Sequence, residues 1–148
     1  MRIALAADHA GYLLKEELVA WLREQGHEIT DLGTNGPESV DYPEYGAKLG
    51  SEVGLGKADL GIAVCGSGIG ISIAVNRNLM CRCARVDDPL SARLAREHND
   101  ANVIALGARL IGSDMARACV AEFLGTDFAG GRHQRRVDQL SRQLQDSD

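Results

Sequence analysis

The sequence of 148 residues has few aromatic side chains (one Trp, three Tyr and two Phe) and no excess of basic ones. With 16 Lys and Arg against 21 Asp and Glu, the formal net charge is −5, so the overall basic surface typical of nucleic-acid binding is absent. The scarcity of aromatics also leaves little for single-stranded bases to stack on. No apolar run approaches the roughly 20 residues that cross a bilayer, and Asp8 interrupts the N-terminus before a signal-peptide core forms. These absences predict a cytoplasmic protein that binds neither nucleic acid nor membrane.

The four cysteines, at positions 65, 81, 83 and 119, include no C-x-x-C pair. A disulfide framework is typical of a much shorter secreted chain. Cys81 and Cys83 are two residues apart and would share one face of a strand. Without a nearby His, these two thiols favour strand packing over a zinc site.

Short apolar strands alternate with amphipathic helices along the whole chain. The strand pattern recurs five times, at residues 2–7, 27–32, 59–64, 82–86 and 102–106. Five further segments have helical periodicity or a helix-starting residue, four between the strands and one after the fifth strand: 12–25, 43–54, 71–77, 89–98 and 113–124. A last helix follows residue 130, with Val137, Leu140 and Leu144 on one face.

This alternation predicts a parallel sheet that is covered on both faces. We therefore expect one α/β domain over residues 1–148. Its predicted architecture is a single-domain three-layer α/β/α sandwich, with a Rossmann-like five-stranded parallel sheet and a C-terminal helix. Because ligands of such sheets bind at the carboxyl ends of the strands, the candidate segments are 8–11, 65–70 and the loops near His98 and at 107–109.

The segment Cys65-Gly66-Ser67-Gly68-Ile69-Gly70 ends a buried strand and opens a helix. Its glycines allow backbone N–H groups to turn toward an anion, and the helix N-terminus favours the thiolate of Cys65. One interpretation is a dinucleotide fingerprint with Asp87 as the ribose acceptor, although the third fingerprint glycine is missing. A cysteine phosphatase would need an Arg soon after the Cys, and none is present through Ser72. The remaining interpretations are an oxyanion cradle beside a Cys acid/base and a glycine-rich turn around a buried structural Cys.

Other polar residues are candidates for the same site. Asp8 and His9 end the first strand, while His98 and Asn99 end a helix, where a His is also favoured by the helix dipole. Residues 132–142 contain four Arg and one Asp. Arg132 and Arg136 are four residues apart on one helical face and can bind phosphate oxygens in a bidentate manner; a solvated basic helix is the simpler interpretation. Arg109 is a possible third member of this group.

Five motifs, in the same order across nearly the whole chain, resemble those of the ribose-5-phosphate isomerase B family, which includes galactose-6-phosphate isomerase subunits. The motifs are ADHAG (7–11), DYPEYG (41–46), CGSGIGISIAVN (65–76), EHNDANVIALGAR (97–109) and GGRHQRRV (130–137). The resemblance implies an aldose–ketose isomerase that uses no metal and no cofactor. It implies interconversion of ribose 5-phosphate and ribulose 5-phosphate through an enediolate, in the non-oxidative pentose phosphate pathway.

The resemblance also assigns roles to residues of this chain. Cys65 matches the base that moves the proton between C2 and C1, and Ser67 matches the hydroxyl that relays protons at the substrate oxygens. Gly66, Gly68, Ile69 and Gly70 match the backbone cradle. His98 matches the group that opens the sugar ring, with Asp8 assisting. The other matches are Tyr42 and Asn99 along the sugar, and His9, Arg109, Arg132 and Arg136 at the phosphate.

In the family the site lies between subunits, so the resemblance implies a homodimer or homotetramer whose small-molecule partner is a phosphorylated sugar. Two alternatives stay open at this level. One is an isomerase of a six-carbon sugar phosphate, allose 6-phosphate or galactose 6-phosphate, because no motif reads the length of the sugar. The other is a nucleotide-binding regulatory module on a doubly wound sheet.

Overall fold

The computed structural model describes residues 1–142; Leu144, predicted on the apolar face of the last helix, lies outside them. Five strands form one parallel sheet in the order β2-β1-β3-β5-β4. The strands are β1 (Arg2–Ala7), β2 (Glu28–Asp31), β3 (Leu60–Cys65), β4 (Cys83–Arg85) and β5 (Val103–Gly107). The helices are α1 (Tyr12–Glu24), α2 (Tyr42–Gly54), α3 (Ile69–Asn76), α4 (Pro89–Asn99), α5 (Ser113–Gly125) and α6 (Arg132–Arg142). The predicted α/β sandwich is confirmed, and the strands and first five helices end within one or two residues of their predicted bounds.

The two faces of the sheet carry side chains of different size. One face presents Ile, Leu and Val side chains of the strands to α1, α4 and α5, and the other presents mostly Ala to α2 and α3. Small strand residues let α2 and α3 approach the sheet closely. These two helices also touch through glycine, because a Cβ at Gly46 would lie 2.5 Å from the Cβ of Ala74. The catalytic candidate Cys65 belongs to this second layer.

Strands β1 and β3 are neighbours, yet the chain leaves them for opposite faces of the sheet. After β1 it enters α1 in the first helical layer, and after β3 it enters α3 in the second. Such a divergence opens a crevice at the carboxyl ends of the two strands, where doubly wound proteins bind ligands. We refer to this side of the sheet as the carboxyl edge and to the opposite side as the amino edge. Among the described residues, no helix combines the length and apolarity that a membrane crossing requires.

Candidate active site

A cavity of about 370 Å³ opens at the carboxyl edge. Its lining comes from the segments that follow β1, β3 and β5 and from the start of α2. The lining residues are Asp8, His9, Ala10, Tyr42, Cys65, Gly66, Ser67, Gly70, Arg109 and Leu110. The structure therefore brings together candidates that the sequence spreads over about 100 positions.

The Cys65 side chain is nearly buried, and its sulfur lies against the start of α3. The backbone N–H of Gly68 donates a hydrogen bond to Sγ of Cys65 over 3.1 Å. Gly68 adopts φ +76°, and a Cβ there would lie 2.9 Å from the carbonyl carbon of Leu106. Only glycine accommodates both the left-handed backbone and this close approach to β5, so the turn that directs the N–H at the sulfur depends on Gly68.

Some backbone amides around Cys65 donate hydrogen bonds to protein side chains, whereas others are available to a ligand. The Ile69 N–H donates to Oγ of Ser67 over 3.1 Å, which leaves the hydroxyl proton of Ser67 free to be donated. Among the described residues, the amides of Gly66, Ser67 and Gly70 have no hydrogen-bond acceptor outside their own helix or strand. The ring of Tyr42 lies over Gly70, where a Cβ would come within 2.7 Å of the ring carbon Cζ. These features leave donors at the cavity for an oxyanion.

Asp8 and His9 are each held by backbone groups. Asp8 Oδ1 accepts hydrogen bonds from the N–H groups of Ala10 (3.0 Å) and Gly11 (3.1 Å). The backbone N–H of Val40 donates to Nδ1 of His9 over 3.1 Å. The same Nδ1 atom lies 3.2 Å from the Val40 carbonyl oxygen, so both polar groups of Val40 hold the ring in place and leave its Nε2 edge without a hydrogen-bond partner among the described residues.

Two arginines follow the strands at this edge. The Nη1 atom of Arg109 lies 3.3 Å from the position that a Cβ of Gly66 would take, which places a guanidinium across the mouth of the cavity. Arg85, which sequence reasoning missed, donates from Nε to the carbonyl oxygen of Ser67 over 2.7 Å. Asp87, the ribose acceptor of the dinucleotide interpretation, forms an ion pair with Arg85 at 2.8 Å instead.

The remaining candidates do not line this cavity. Helix α4 runs back between the parallel strands β4 and β5, so His98 and Asn99 lie at the amino edge. The Asn99 carbonyl accepts a hydrogen bond from Nε of Arg82, which directly precedes β4. The prediction that the loop near His98 lies at the carboxyl edge is therefore wrong, because the end of a crossover helix reaches the start of the next strand.

The amino edge carries its own cluster of basic side chains. Arg132 and Arg136 belong to α6, which packs against α4. The imidazole rings of His98 and His133 stack with centroids 4.4 Å apart and planes inclined by 15°. Burial lowers the pKa of His133, and the nearby His98, Arg132 and Arg136 lower that pKa further. His98, Asn99, Arg132 and Arg136 are thus gathered at the amino edge, away from the Cys65 cavity.

The chain as a whole is similar to known proteins in sequence and in structure. The family model described as Ribose/Galactose Isomerase matches residues 3–140. Ribose-5-phosphate isomerase B of Escherichia coli (strain K12) is 44% identical over 140 residues, which cover 95% of this chain and 94% of that protein. The solved structure of ribose-5-phosphate isomerase B from Clostridium thermocellum is 44% identical, with a TM-score of 0.98 and 100% of both chains covered. The enzyme of Mycoplasma genitalium, solved with bound ribulose-5-phosphate, is 34% identical, with a TM-score of 0.95 and coverage of 99% and 97%.

Proposed function

The chain belongs to the ribose/galactose isomerase family, and we propose that it is one isomerase domain that interconverts D-ribose 5-phosphate and D-ribulose 5-phosphate. The observation that carries the proposal is the nearly buried sulfur of Cys65, which receives the Gly68 N–H at 3.1 Å inside the cavity of the carboxyl edge. Similarity to ribose-5-phosphate isomerases B over nearly the whole chain supports the same substrate.

In the proposed reaction, Cys65 acts as the base. Its thiolate takes the proton from C2 of the open-chain aldose, and the electrons of the C2–H bond form the C1–C2 double bond. The electrons of the carbonyl double bond move onto O1 and give an enediolate. The thiol of Cys65 then returns the proton to C1, whose new C–H bond takes the electrons of the C1–C2 double bond. The C2 carbonyl forms as the proton on O2 leaves and is relayed to O1, which becomes the C1 hydroxyl of the ketose. Such a base must be held within hydrogen-bonding reach of the carbon acid.

The charge that develops on the substrate oxygens needs donors that are already in place. The amides of Gly66, Ser67 and Gly70 have no other acceptor outside their own helix or strand among the described residues. Gly68 and Ile69 contribute differently, because their N–H groups hold the sulfur of Cys65 and the hydroxyl of Ser67. We assign proton relay between O1 and O2 to the Ser67 hydroxyl. Preorganised donors of this kind are among the largest contributions to enzymatic rate.

In this proposal the same cavity binds the phosphate and the far end of the sugar. The imidazole of His9 and the guanidinium of Arg109 both line the cavity, and we assign them to the phosphate, since arginine forms strong charge-assisted hydrogen bonds with phosphate oxygens. Asp8, whose Oδ1 caps the turn at Gly11, directs its other carboxylate oxygen to a sugar hydroxyl. Tyr42 lies along the sugar over Gly70.

A second copy of the chain supplies the other residues in this proposal. Strands of five or six residues separate the two edges of the sheet by roughly 15–20 Å. His98 and Arg136 therefore cannot reach the Cys65 cavity of their own chain. We propose a homodimer, or a homotetramer built from it, in which the amino-edge cluster of one copy faces the cavity of the other. The partner's His98 then opens the sugar ring, Asn99 contacts the sugar, and Arg132 and Arg136 bind the phosphate.

A further part of the proposal is that the protein acts in the cytoplasm, in the non-oxidative pentose phosphate pathway, without a metal or cofactor. A coupled assay tests the activity with ribose 5-phosphate, allose 6-phosphate and galactose 6-phosphate side by side, each with and without EDTA. We expect the highest kcat/KM with ribose 5-phosphate and no effect of EDTA. No turnover of ribose 5-phosphate, or faster turnover of a six-carbon substrate, would overturn the substrate assignment.

In the same assay, the Cys65→Ala variant tests whether Cys65 is the base. A positioned general base contributes about 10²–10⁴-fold to a rate, so kcat should fall by a factor in that range while substrate binding stays close to that of the native protein. Cys119→Ala removes a thiol on the other face of the sheet and should leave kcat unchanged. Full activity of the Cys65→Ala protein would eliminate Cys65 as the base.

A further inference from the structure

In the active-site loop, which joins β3 to α3, both the C=O and the N–H of the Ser67–Gly68 peptide form hydrogen bonds with side chains. The carbonyl oxygen of Ser67 accepts a hydrogen bond of 2.7 Å from Nε of Arg85. The N–H of the same peptide, that of Gly68, donates to Sγ of Cys65 over 3.1 Å. Because a peptide unit is planar, the direction of its carbonyl fixes the direction of its N–H. The hydrogen bond from Arg85 therefore acts on the direction from which the N–H approaches the sulfur.

The guanidinium of Arg85 is itself fixed in place. Its side chain is 26% exposed, and Nη1 forms an ion pair with Asp87 at 2.8 Å. Arg85 ends β4, two strands away from Cys65, and it does not line the cavity. It therefore acts on Cys65 across the Ser67–Gly68 peptide rather than by touching a substrate.

The positive charge of Arg85, next to the carbonyl oxygen of this peptide, polarises the N–H at the opposite side of the peptide. Hydrogen bonds in a chain polarise one another, and those with a charged partner are stronger than neutral ones. A more polarised Gly68 N–H stabilises a negative sulfur more than a neutral thiol. The chain of contacts from Arg85 to Cys65 therefore favours the thiolate.

We propose that Arg85 is a positioning residue of the isomerase, which orients the Ser67–Gly68 peptide and thereby stabilises the Cys65 thiolate. The proposal rests on the proposed function in one respect, that Cys65 is the base. Asp87 supports Arg85 by holding its guanidinium. Other charged or titratable groups face the cavity from β1, α2 and β5, and they are the same in every variant below: Asp8, His9, Tyr42 and Arg109.

Two variants separate the parts of this interaction. Arg85→Met keeps most of the aliphatic chain and removes both the charge and the N–H donor. Arg85→Gln places an N–H close to the position of the Arg Nε and removes the charge together with the Nη atoms that pair with Asp87. Arg117→Met is the matched control, because Arg117 lies over the Trp21 ring in the other helical layer and loses the same charge.

The readout is the rate at which iodoacetamide alkylates Cys65 as a function of pH, measured by mass spectrometry alongside kcat and KM. For Arg85→Met we expect the midpoint of the alkylation profile to rise by about one pH unit, which is tenfold less thiolate at neutral pH. Its kcat should fall by a similar factor while KM changes little. Arg85→Gln should lie between Arg85→Met and the native protein, and Arg117→Met should match the native protein.

An alkylation midpoint unchanged in a folded Arg85→Met or Arg85→Gln protein would overturn the proposal. An equal shift in Arg117→Met would also overturn it, because the effect would then be one of net charge. The measurement of Cys65 alkylation does not depend on turnover of a substrate. If ribose 5-phosphate is not a substrate, the proposed function fails, whereas the alkylation profiles still decide whether Arg85 stabilises the thiolate.

Discussion

The thiols of this protein differ in the groups that surround them. Burial raises the pKa of Cys119 to about 11, with the charges of Asp88 and Asp87 adding to the effect. Burial also raises the pKa of Cys81 and of Cys83, and at Cys83 the neighbouring Cys81 contributes. Groups with raised pKa values stay protonated and unreactive at neutral pH. Cys65 is also buried, but its sulfur receives an N–H donor and the residue lines the cavity of the carboxyl edge.

We predict that iodoacetamide at about pH 7.5 modifies Cys65 first, because the alkylating species is the thiolate. Reaction at Cys119 should appear only as the pH rises toward 11, since its thiol is protonated below its raised pKa. Peptide mapping by mass spectrometry identifies the modified site. Prior addition of ribose 5-phosphate should slow modification of Cys65; faster reaction at Cys81 or Cys83 would contradict this ordering.

Side chains that follow strands could be predicted as site residues from the sequence, whereas a contact between distant segments could not. Cys65 and Asp8 each come directly after an apolar run, so the parallel-sheet rule places them at one edge. Arg85 gives no such signal, because its hydrogen bond to Ser67 spans 18 positions and depends on β5 lying between β3 and β4. Only the packed structure shows that contact.

At the scale of elements, the active-site loop is held by the close approach of two segments at the ends of β3 and β5. A Cβ on Gly107 would lie 2.7 Å from both the carbonyl carbon and the oxygen of Ser67. We predict that Gly107→Ala displaces this peptide and with it the N–H that binds Cys65. Steady-state kinetics should show kcat reduced by about tenfold or more, since small misplacements at a site are costly.

Gly112→Ala is the matched control for that variant. Gly112 precedes α5 in the same connection, and a Cβ there meets nothing within 4 Å. Its kcat should equal that of the native protein. If Gly107→Ala retains native kcat as well, the loop is not held by this contact.

An ion pair between a buried lysine and a partly buried aspartate joins helix α1 to the end of β2. The Nζ atom of Lys15, whose side chain is fully buried, lies 2.8 Å from both carboxylate oxygens of Asp31. Lys15→Met leaves that carboxylate without its partner, and breaking a buried pair in this way costs about 3–5 kcal/mol. We expect the urea midpoint to fall accordingly at an unchanged m-value.

The double variant Lys15→Met, Asp31→Leu separates the charge effect from packing. An apolar pair of similar volume is often as stable as the ion pair that it replaces, so the double variant should recover much of the lost stability. A single Lys15→Met variant within about 1 kcal/mol of the native protein would show that the pair behaves like an exposed one.

Element types were predictable because their apolar periods are distinct, with 3.6 residues in α1 and short continuous runs in β1 and β3. The strand order β2-β1-β3-β5-β4 was not predictable in the same way. Alternation of strands and helices requires parallel pairing, yet it leaves open that β4 forms an edge and β5 inserts beside β3. That choice depends on how α3 and α4 pack across the sheet.

At the scale of the whole molecule, the candidate residues form two groups at opposite edges of the sheet. The Cys65 cavity lies at the carboxyl edge, and the His98–His133 pair with Arg132 and Arg136 lies at the amino edge. Under the proposed roles each group alone is incomplete, because the ring-opening His98 is missing from the first group and the base Cys65 is missing from the second. The proposed second copy would join them, and a cavity of about 450 Å³ beside Asn99 and Leu140 lies at the amino edge.

Complementation between two inactive variants tests this shared site most directly. Cys65→Ala and His98→Asn proteins are each expected to turn over ribose 5-phosphate at least about 10²-fold more slowly than the native protein. When equal amounts are unfolded and refolded together, each site draws its Cys65 and its His98 from different copies. About one quarter of the sites then receive both native residues, and about one quarter of native activity should return. Activity no greater than that of the two variants refolded separately and then mixed would contradict the shared site.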